Sequence, residues 1–337
     1  SDAFLAAKAV ELFHNFSLVH DDMMDEASLR RGQPTVHTKY DSNTALLVGD
    51  IMVIRAYEYI QSIQSNHLSK ILGLFNQTAR EVCEGQQLDM DYAKRSTVSL
   101  EEYIHMITLK TSVLLAASLQ MGAIIGGAGE HNCSHLYEFG KKLGIAFQIQ
   151  DDILDLYGDP SKVGKQVGGD VICNKKTLLS IVARSRATDT ERKELDFLLN
   201  EVNIEQKVLK TRSIYNNLNV KAICEETMKK HNDLAFSAFA KIDTPNSKEN
   251  IKQDHLNREE LFLSYFILDE NWFGQNKSIT VTFNEGNYNG RIFKYEHDEV
   301  YIGTIEHYQT LDCWRDYGRF SNSRNIPEIV RPFVTEI

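Results

Sequence analysis

Proline is scarce in this sequence: there are five prolines in 337 residues, and none falls between residues 35 and 159. Because proline removes a backbone donor and breaks helices, its absence over this stretch permits a series of long helices. Cysteine is equally sparse, with five scattered residues and no Cys-x-x-Cys pair. Such a set argues against a disulfide framework or a zinc site and is typical of a reducing compartment. We therefore expect a cytoplasmic protein.

Positive charge is also in deficit, since the formal net charge at pH 7 is −10. This balance argues against a general nucleic-acid binder. The first residues, Ser1-Asp2, lack the basic segment of a signal peptide, so none is expected. The longest apolar stretch, residues 113–129, carries Ser118 and Gln120 and is interrupted by glycines. It is short for a membrane span, and we interpret it as a buried core helix.

The remaining pattern predicts an all-α fold. The predicted helices span residues 3–25, 41–66, 69–94, 99–127, 132–157, 175–186, 189–200 and 204–241. Ser99-x-x-Glu102 has the spacing of a capping box at a helix start, and Gly126-Gly127 suits a helix end.

The composition changes after about residue 241, where residues 242–247 form a cluster of helix breakers. A predicted helix at 258–273 precedes apolar residues that alternate at 279–283, a Gly/Asn-rich turn at 286–290 and a second apolar segment at 292–295. This strand–turn–strand pattern predicts a small β-containing unit. We expect a helical domain at residues 1–245 and an appendage at residues 258–337 without a catalytic constellation.

An acidic motif, Asp21-Asp22-x-x-Asp25, follows an apolar helical run and places Asp21 and Asp25 one turn apart on the same helix face. Paired carboxylates repel each other and resist burial, and a hard cation removes both problems. Magnesium takes oxygen ligands and shares its shell with phosphates, while the arginines that follow, Arg30 and Arg31, match phosphate oxygens. The motif therefore indicates a metal-bridged diphosphate site.

A second motif, Asp151-Asp152-x-x-Asp155, repeats this spacing, again after an apolar helical run and before basic residues. One acidic run of this kind usually lies on a solvated helix face. Two copies in the same setting are hard to explain as surface, so we expect both of them to be functional.

The ordered motifs resemble those of the trans-isoprenyl diphosphate synthases, the family that includes farnesyl and geranylgeranyl diphosphate synthases. The resemblance covers residues 1–240 and implies an isoprenoid-synthase-type helical bundle around a central cavity, usually a homodimer. It rests on the two aspartate motifs, on Arg30-Arg31-Gly32-x-Pro34-Thr35, on Gly85-Gln86-x-x-Asp89, on Lys110-Thr111, on Phe147-Gln148, and on Gly164-Lys165-x-x-Gly168-x-Asp170 followed by Lys175 and Thr177.

The resemblance implies head-to-tail condensation of isopentenyl diphosphate with an allylic diphosphate that is held by three Mg²⁺ between facing aspartate clusters. It implies Asp21, Asp25 and Asp151 as the main metal ligands, with direct or water-mediated support from Asp22, Asp152 and Asp155. The cations implied to hold the leaving diphosphate are Arg30, Lys110, Lys165 and Lys175. The other implied substrate-binding residues are Gln86 and, on the isopentenyl side, Arg31, Thr111, Phe147 and Gln148.

Two further expectations follow from the resemblance. Phe16 lies five residues before Asp21, where a bulky aromatic residue in the family resembles a floor that stops the product at farnesyl or geranylgeranyl length. The family also has earlier helices with a Gly-Gly-Lys-x-x-Arg-Pro type of motif for isopentenyl diphosphate, and this sequence has no such motif. We expect either a truncated sequence or an incomplete isopentenyl site.

Three alternatives stay open at the level of sequence. One is a non-catalytic, prenyltransferase-like regulatory subunit. Another is a terpene cyclase, although those enzymes usually carry a mixed Asn/Ser/Glu motif at the second site. The third is a carboxylate-bridged di-iron bundle, because Glu11-x-x-His14 and Glu102-x-x-His105 fit its ligand spacing.

Overall fold

The computed structural model describes residues 2–30, 32–63, 66–158 and 167–242, together with the backbone of four short strands between residues 281 and 300. The predicted all-α class is confirmed. The helices are α1 (Asp2–Met24), α2 (Val36–Lys39), α3 (Ser42–Gln61), α4 (Leu68–Ala93), α5 (Leu100–Ile107), α6 (Val113–Gly126), α7 (Glu130–Tyr157), α8 (Gly169–Ile172), α9 (Leu178–Arg186), α10 (Asp189–Leu198), α11 (Ile204–Asn217) and α12 (Val220–Phe239), with a π-helical segment, Thr108–Ser112, between α5 and α6.

The predicted helix ends agree with the local chemistry at several points. Ser99 and Glu102 form both bonds of the predicted capping box at the start of α5, and Gly127 ends α6 in the left-handed region at φ 80°. The prediction of one helix over residues 204–241 was wrong. Asn219 adopts φ 54° and separates α11 from α12, a conformation that asparagine tolerates better than most residues.

Helix α6 lies in the core of the described bundle and packs against α1, α4 and α7. Eleven of its 14 residues are buried, from Val113 to Ile125. By length and composition, Leu100–Gly126 could cross a membrane, and 67% of its most apolar window is buried inside the protein. This burial agrees with the prediction of a core helix in this region.

The π-helical segment is enclosed by two helices that approach it through glycines. A Cβ at Gly85 of α4 would overlap the backbone nitrogen of Lys110 and would lie 2.7 Å from Leu109 C. A Cβ at Gly144 of α7 would lie 2.6 Å from Ser112 Cα. π-helical turns are rare overall, but those that occur are often found at functional sites. The segment therefore makes the region around Lys110 a candidate functional site.

The chain folds back on itself after α1. Strands β1 (Leu29–Arg30) and β2 (Gln33–Pro34) pair antiparallel, and the buried Thr35 hydroxyl donates to Ala27 O at 2.7 Å. The Thr35 N–H also donates to Ser28 O at 3.1 Å. These bonds hold Arg30 beside the end of α1.

The C-terminal strands agree with the predicted strand–turn–strand pattern. Strand β3 (Val281–Glu285) pairs antiparallel with β4 (Tyr288–Phe293), and β5 (Tyr295–Glu296) pairs with β6 (Glu299–Val300). The turn is shorter than predicted, since β4 already begins at Tyr288. The predicted helix at 258–273 lies outside the described residues, and the boundary between the two units stays a prediction.

We expect Gly85→Ala to lower the free energy of unfolding by about 2–3 kcal/mol, because the added methyl group overlaps the π-helical backbone. Gly73 on the same helix is exposed, and a methyl group added there would meet no atom within 4 Å, so Gly73→Ala should raise stability by about 0.5–1 kcal/mol. Urea denaturation measures both variants. Equal effects of the two substitutions would contradict the close approach at Gly85.

Candidate active site

The first acidic motif lies at the end of α1, and Lys110 joins it to α4. The Lys110 Nζ donates to Asp21 Oδ1 at 3.0 Å and to Asp89 Oδ2 at 2.7 Å. Burial opposes ionisation of Asp21, but the charges of Lys110 and Lys175 outweigh it and lower the pKa of this carboxyl. Burial likewise opposes the charge on Lys110, but Asp21 and Asp89 raise its pKa overall. The ammonium is thus held in its charged form among carboxylates.

Lys175 connects the first motif with residues that contact the second. Its Nζ donates to Asp25 Oδ2 at 2.7 Å and lies 4.0 Å from Asp170 Oδ1. The backbone N–H of Asp170 in turn donates to Asp155 Oδ2 at 3.1 Å. Burial raises the pKa of Asp170 well above its ordinary value, and the neighbouring Asp155 adds to this. The two aspartate motifs therefore meet in one place.

The position of Lys175 differs from the prediction, which had placed it on a helix over residues 175–186. Helix α9 begins at Leu178, and Thr177 caps it by accepting a hydrogen bond from Ser180 N at 3.5 Å. Lys175 consequently lies in the loop between α8 and α9. Its pKa is raised because Asp170 and Asp25 outweigh the opposing effect of burial.

Arg30 binds the middle residue of the first motif. Its Nε donates to both oxygens of Asp22, at 2.9 and 2.8 Å, and its Nη2 lies 3.7 Å from Asp21 Oδ2. Burial raises the pKa of Asp22 although Arg30 opposes this shift. Burial opposes the charge on Arg30, but Asp22, Asp21 and Asp151 together raise its pKa. Arg30 thus interacts with both motifs.

The middle residue of the second motif, Asp152, faces the protein interior. It accepts hydrogen bonds from Tyr103 Oη at 2.6 Å, Gln148 Nε2 at 3.1 Å and Leu178 N at 3.3 Å. Burial raises the pKa of Asp152 to about 7, although these hydrogen bonds oppose the shift. Thr111 donates to Gln148 Oε1 at 2.8 Å and extends the network.

The structure locates several of the other predicted residues. Gln86 on α4 donates to the sulfur of Met24 at 3.5 Å, so it adjoins the first motif. Phe147 is partly buried on α7, directly before Gln148. Arg31 and Lys165 lie outside the described residues, and their roles stay predictions.

Sequence reasoning did not assign roles to three residues that the site contains. Asp89 and Asp170 belonged to recognised motifs, but only the structure shows that they pair with Lys110 and Lys175. Tyr103 belongs to none of the recognised motifs, and its bond to Asp152 is seen only in the structure.

The Glu-x-x-His patterns do not converge in the way that a di-iron centre requires. Glu102 binds Arg95 at 2.7 Å and the backbone of Ser99 at the surface end of α5. Glu11 accepts a hydrogen bond from Asn15 at 2.8 Å. Within the described part of the chain, no three His, Cys, Asp or Glu side chains stand close enough together to hold an ion as they are.

The donor set of the acidic site nevertheless fits hard divalent cations. Among the described residues of the acidic site, eight carboxylates face three cationic side chains. Carboxylate oxygens are donors that suit Mg²⁺. The carboxylates are Asp21, Asp22, Asp25, Asp89, Asp151, Asp152, Asp155 and Asp170, and the cations are Arg30, Lys110 and Lys175.

A bundle of long helices that brings two Asp-Asp-x-x-Asp motifs together beside lysine and arginine side chains defines the isoprenoid-synthase class of all-α proteins. The chain belongs to the polyprenyl synthetase family, whose model matches residues 1–218.

Comparisons with individual proteins agree with this assignment. The chain is 41% identical over 206 residues to a short chain isoprenyl diphosphate synthase of Methanocaldococcus jannaschii, covering 61% of this chain and 63% of that protein. A crystal structure of a geranylgeranyl pyrophosphate synthase matches with a TM-score of 0.69 at 39% identity, covering 77% of this chain and 81% of the other. A geranylgeranyl pyrophosphate synthase from Corynebacterium glutamicum, crystallised with isoprenyl diphosphate and magnesium, matches with a TM-score of 0.67 at 25% identity over 72% and 74% of the two chains.

The chain matches only part of the length of its curated relatives. The chain spans 63%, 56% and 61% of the length of three of them, which is less than two thirds in each case.

Proposed function

We propose that this chain catalyses the magnesium-dependent, head-to-tail condensation of isopentenyl diphosphate with an allylic diphosphate to a short-chain prenyl diphosphate of farnesyl or geranylgeranyl type. The observation that carries the proposal is the connection of the two aspartate motifs through Lys175, which contacts Asp25 and Asp170. The names of the relatives support the same activity. A cytoplasmic location stays a prediction.

Asp21, Asp25 and Asp151 are the proposed main ligands of Mg²⁺, with support from Asp155. The magnesium in the C. glutamicum relative supports this metal, and three ions are expected from the family resemblance. When bound, the metal supplies positive charge that neutralises diphosphate oxygens. Asp22 and Asp152 are each 5% exposed and engaged by protein donors, so their proposed support is to orient neighbouring groups.

The basic residues would stabilise the leaving group. The allylic carbon–oxygen bond breaks, and its electron pair leaves with the diphosphate, where Arg30, Lys110 and Lys175 are placed to share the negative charge. Lys165 is proposed to join them. The π-electrons of isopentenyl diphosphate then form the new carbon–carbon bond to the allylic cation. The proton lost from the adjacent carbon goes to the released diphosphate, so no protein base is required.

The isopentenyl side is proposed to include Arg31, Thr111, Phe147 and Gln148, and Gln86 is proposed to bind substrate beside the first motif. The Thr111–Gln148 hydrogen bond of 2.8 Å supports a common location for two of these residues.

We expect Asp21→Ala and Asp151→Ala each to lower turnover by about 10³-fold or more, because charge on the leaving group is then poorly compensated. Mass-spectrometric detection of the condensed product with Mg²⁺ measures this loss. Asp91→Ala is the matched control, since Asp91 lies on the exposed surface of α4, and it should leave turnover unchanged. Retained turnover in either test variant, with an unaltered circular dichroism spectrum, would contradict the assigned roles.

Aromatic side chains below the first motif support the proposed limit on product length. The ring of Phe16 lies 5.3 Å from that of Phe13, and the ring of Phe13 lies 5.4 Å from that of Phe75. Phe13 and Phe75 are almost fully buried. Since a packed interior yields little to an added isoprenoid unit, this cluster would act as a floor.

Phe16→Ala should shift the product to a longer chain, because it removes the upper ring of this cluster and leaves Phe13 below it. Chromatography of the dephosphorylated products measures the length. Phe4→Ala on the same helix serves as the control, because Phe4 is 39% exposed and lies about three turns away from Phe16. An unchanged product from Phe16→Ala would remove the proposed role.

The predicted homodimer is supported by an apolar face of α3. Leu47 and Ile54, which lie seven residues apart, are 60% and 58% exposed, and Leu46 and Tyr57 lie beside them on the same helix. Exposed apolar patches of this kind commonly mark protein interfaces. We propose that this face joins two copies of the chain.

Leu47→Glu combined with Ile54→Glu should convert a dimer into a monomer, because four charges would be buried in a symmetric interface. Light scattering after size-exclusion chromatography measures the mass. Phe197→Glu, at a residue that is 68% exposed on α10, should leave the mass unchanged. A dimer that survives the double substitution would place the interface elsewhere.

A further inference from the structure

Lys207 of α11 carries a buried ammonium group that bonds two helix ends. Its Nζ donates to the carbonyl oxygen of Ile172 at 3.1 Å and to that of Leu199 at 3.3 Å, and the residue is 5% exposed. Ile172 is the last residue of α8, and Leu199 directly follows α10. Carbonyl groups at helix ends lack partners within their own helix and carry partial negative charge, so a cation suits this place.

The interior holds this cation at a cost. Burial lowers the pKa of Lys207 because it disfavours the charged form. Both of its partners in the described part of the chain are neutral carbonyl groups, which replace less of the lost hydration than a carboxylate does. The contact is therefore better explained by the positions that it imposes on two helix ends than by a gain in stability.

The next residue of α11 holds the other end of α8. Gly168, directly before α8, is buried with φ 75°, and a Cβ there would lie 2.8 Å from both methyl carbons of Val208. Adjacent residues of α11 thus contact both ends of α8, Val208 at its start and Lys207 at its end. Because short helices are marginal on their own, the four residues of α8 depend on such support.

Helix α8 and the loop after it carry two residues of the acidic site. The Asp170 N–H donates to Asp155 Oδ2 at 3.1 Å, and the Asp170 carbonyl accepts from Lys175 N at 2.9 Å. The Lys175 ammonium group reaches Asp25 Oδ2 at 2.7 Å. The position of α8 therefore determines where Lys175 stands between the two aspartate motifs.

The loop is also tied to a carbonyl that Lys207 binds. Asn174 directly precedes Lys175 and adopts the left-handed region at φ 56°. Its Nδ2 donates to Leu199 O at 3.2 Å, so this oxygen accepts from both Asn174 and Lys207. These bonds join α10 and α11 to the backbone beside Lys175.

We propose that Lys207 is a positioning residue for the condensation, which holds Lys175 at the leaving diphosphate by bonding the ends of α8 and α10. The inference rests on the proposed function. In this role Lys207 acts through Lys175 and takes no part in the chemistry itself. Its effect is preorganisation, because a charge that is already in place requires no rearrangement when the leaving group forms.

The first test removes the buried charge. Lys207→Met keeps a side chain of similar length without a donor, so Lys175 should lose its fixed position and kcat should fall by about 10²-fold. Lys210→Met is the matched control, because Lys210 is exposed on the same helix, and it should leave kcat unchanged. Wild-type kcat in Lys207→Met would overturn the inference.

A double-mutant cycle separates positioning from a general loss of structure. If Lys207 acts through Lys175, then Lys207→Met should change kcat by about twofold or less in the Lys175→Ala background. A larger further loss in that background would overturn the inference, because the effect would then not pass through Lys175.

A conservative variant covers the case in which Lys207→Met does not fold. Lys207→Gln keeps an NH₂ donor for the two carbonyls and has no charge to bury, so it should fold and retain more turnover than Lys207→Met. Its own cycle with Lys175→Ala then decides the inference by the same criterion. Circular dichroism and urea denaturation establish which variants are folded, and a folded Lys207→Gln no faster than a folded Lys207→Met would contradict the role of the donor.

Hydrogen exchange of the full chain decides the inference without an activity measurement. In Lys207→Met, amide protection over residues 168–175 should fall by about tenfold or more, while α1 and α6 keep their exchange rates. Unchanged protection of this segment, or a loss spread equally over all helices, would overturn the inference. If the wild type forms no condensed product, the proposed function fails, and hydrogen exchange alone decides whether Lys207 positions the segment.

Discussion

The site depends on the balance between buried carboxylates and the three cations that hold them. Asp21 and Asp22 at the end of α1 lose hydration, and the charges of Lys110, Lys175 and Arg30 oppose the resulting penalty. These cations come from three different parts of the chain: the hairpin after α1, the π-helical segment and the loop before α9. The helical bundle is thus arranged around charge compensation as well as around its apolar core.

Backbone contacts make this arrangement possible. Lys110 reaches Asp21 and Asp89 because α4 approaches the π-helical segment at Gly85, four residues before Asp89. On the other side, Gly144 admits α7 to the same segment, four residues before Gln148. In both helices, a glycine lies one turn before a polar residue of the site. The close packing of α4 and α7 against the π-helical segment therefore also places Asp89 and Gln148 beside Lys110 and Thr111.

The long helices and both acidic motifs could be predicted from the sequence, because helix periodicity, capping boxes and motif spacing are local signals. The separation of α11 from α12 could not, since it depends on a single left-handed residue, Asn219. The pairing of Lys175 with Asp25 was also inaccessible, because it joins residues that are distant in the chain and requires Lys175 to lie in a loop. The internal position of Asp152 depended on Tyr103 and Leu178, which carry no motif of their own.

The bond between Lys175 and Asp25 joins positions 150 residues apart. During synthesis, α1 emerges with its acids well before Lys175 is available. Arg30 and Lys110 can compensate part of the acidic cluster early, but the bond of Asp25 waits for Lys175, and contacts of such long sequence separation form slowly. Maturation of the site is consequently tied to completion of the bundle, and an unfinished chain is kept from assembling it.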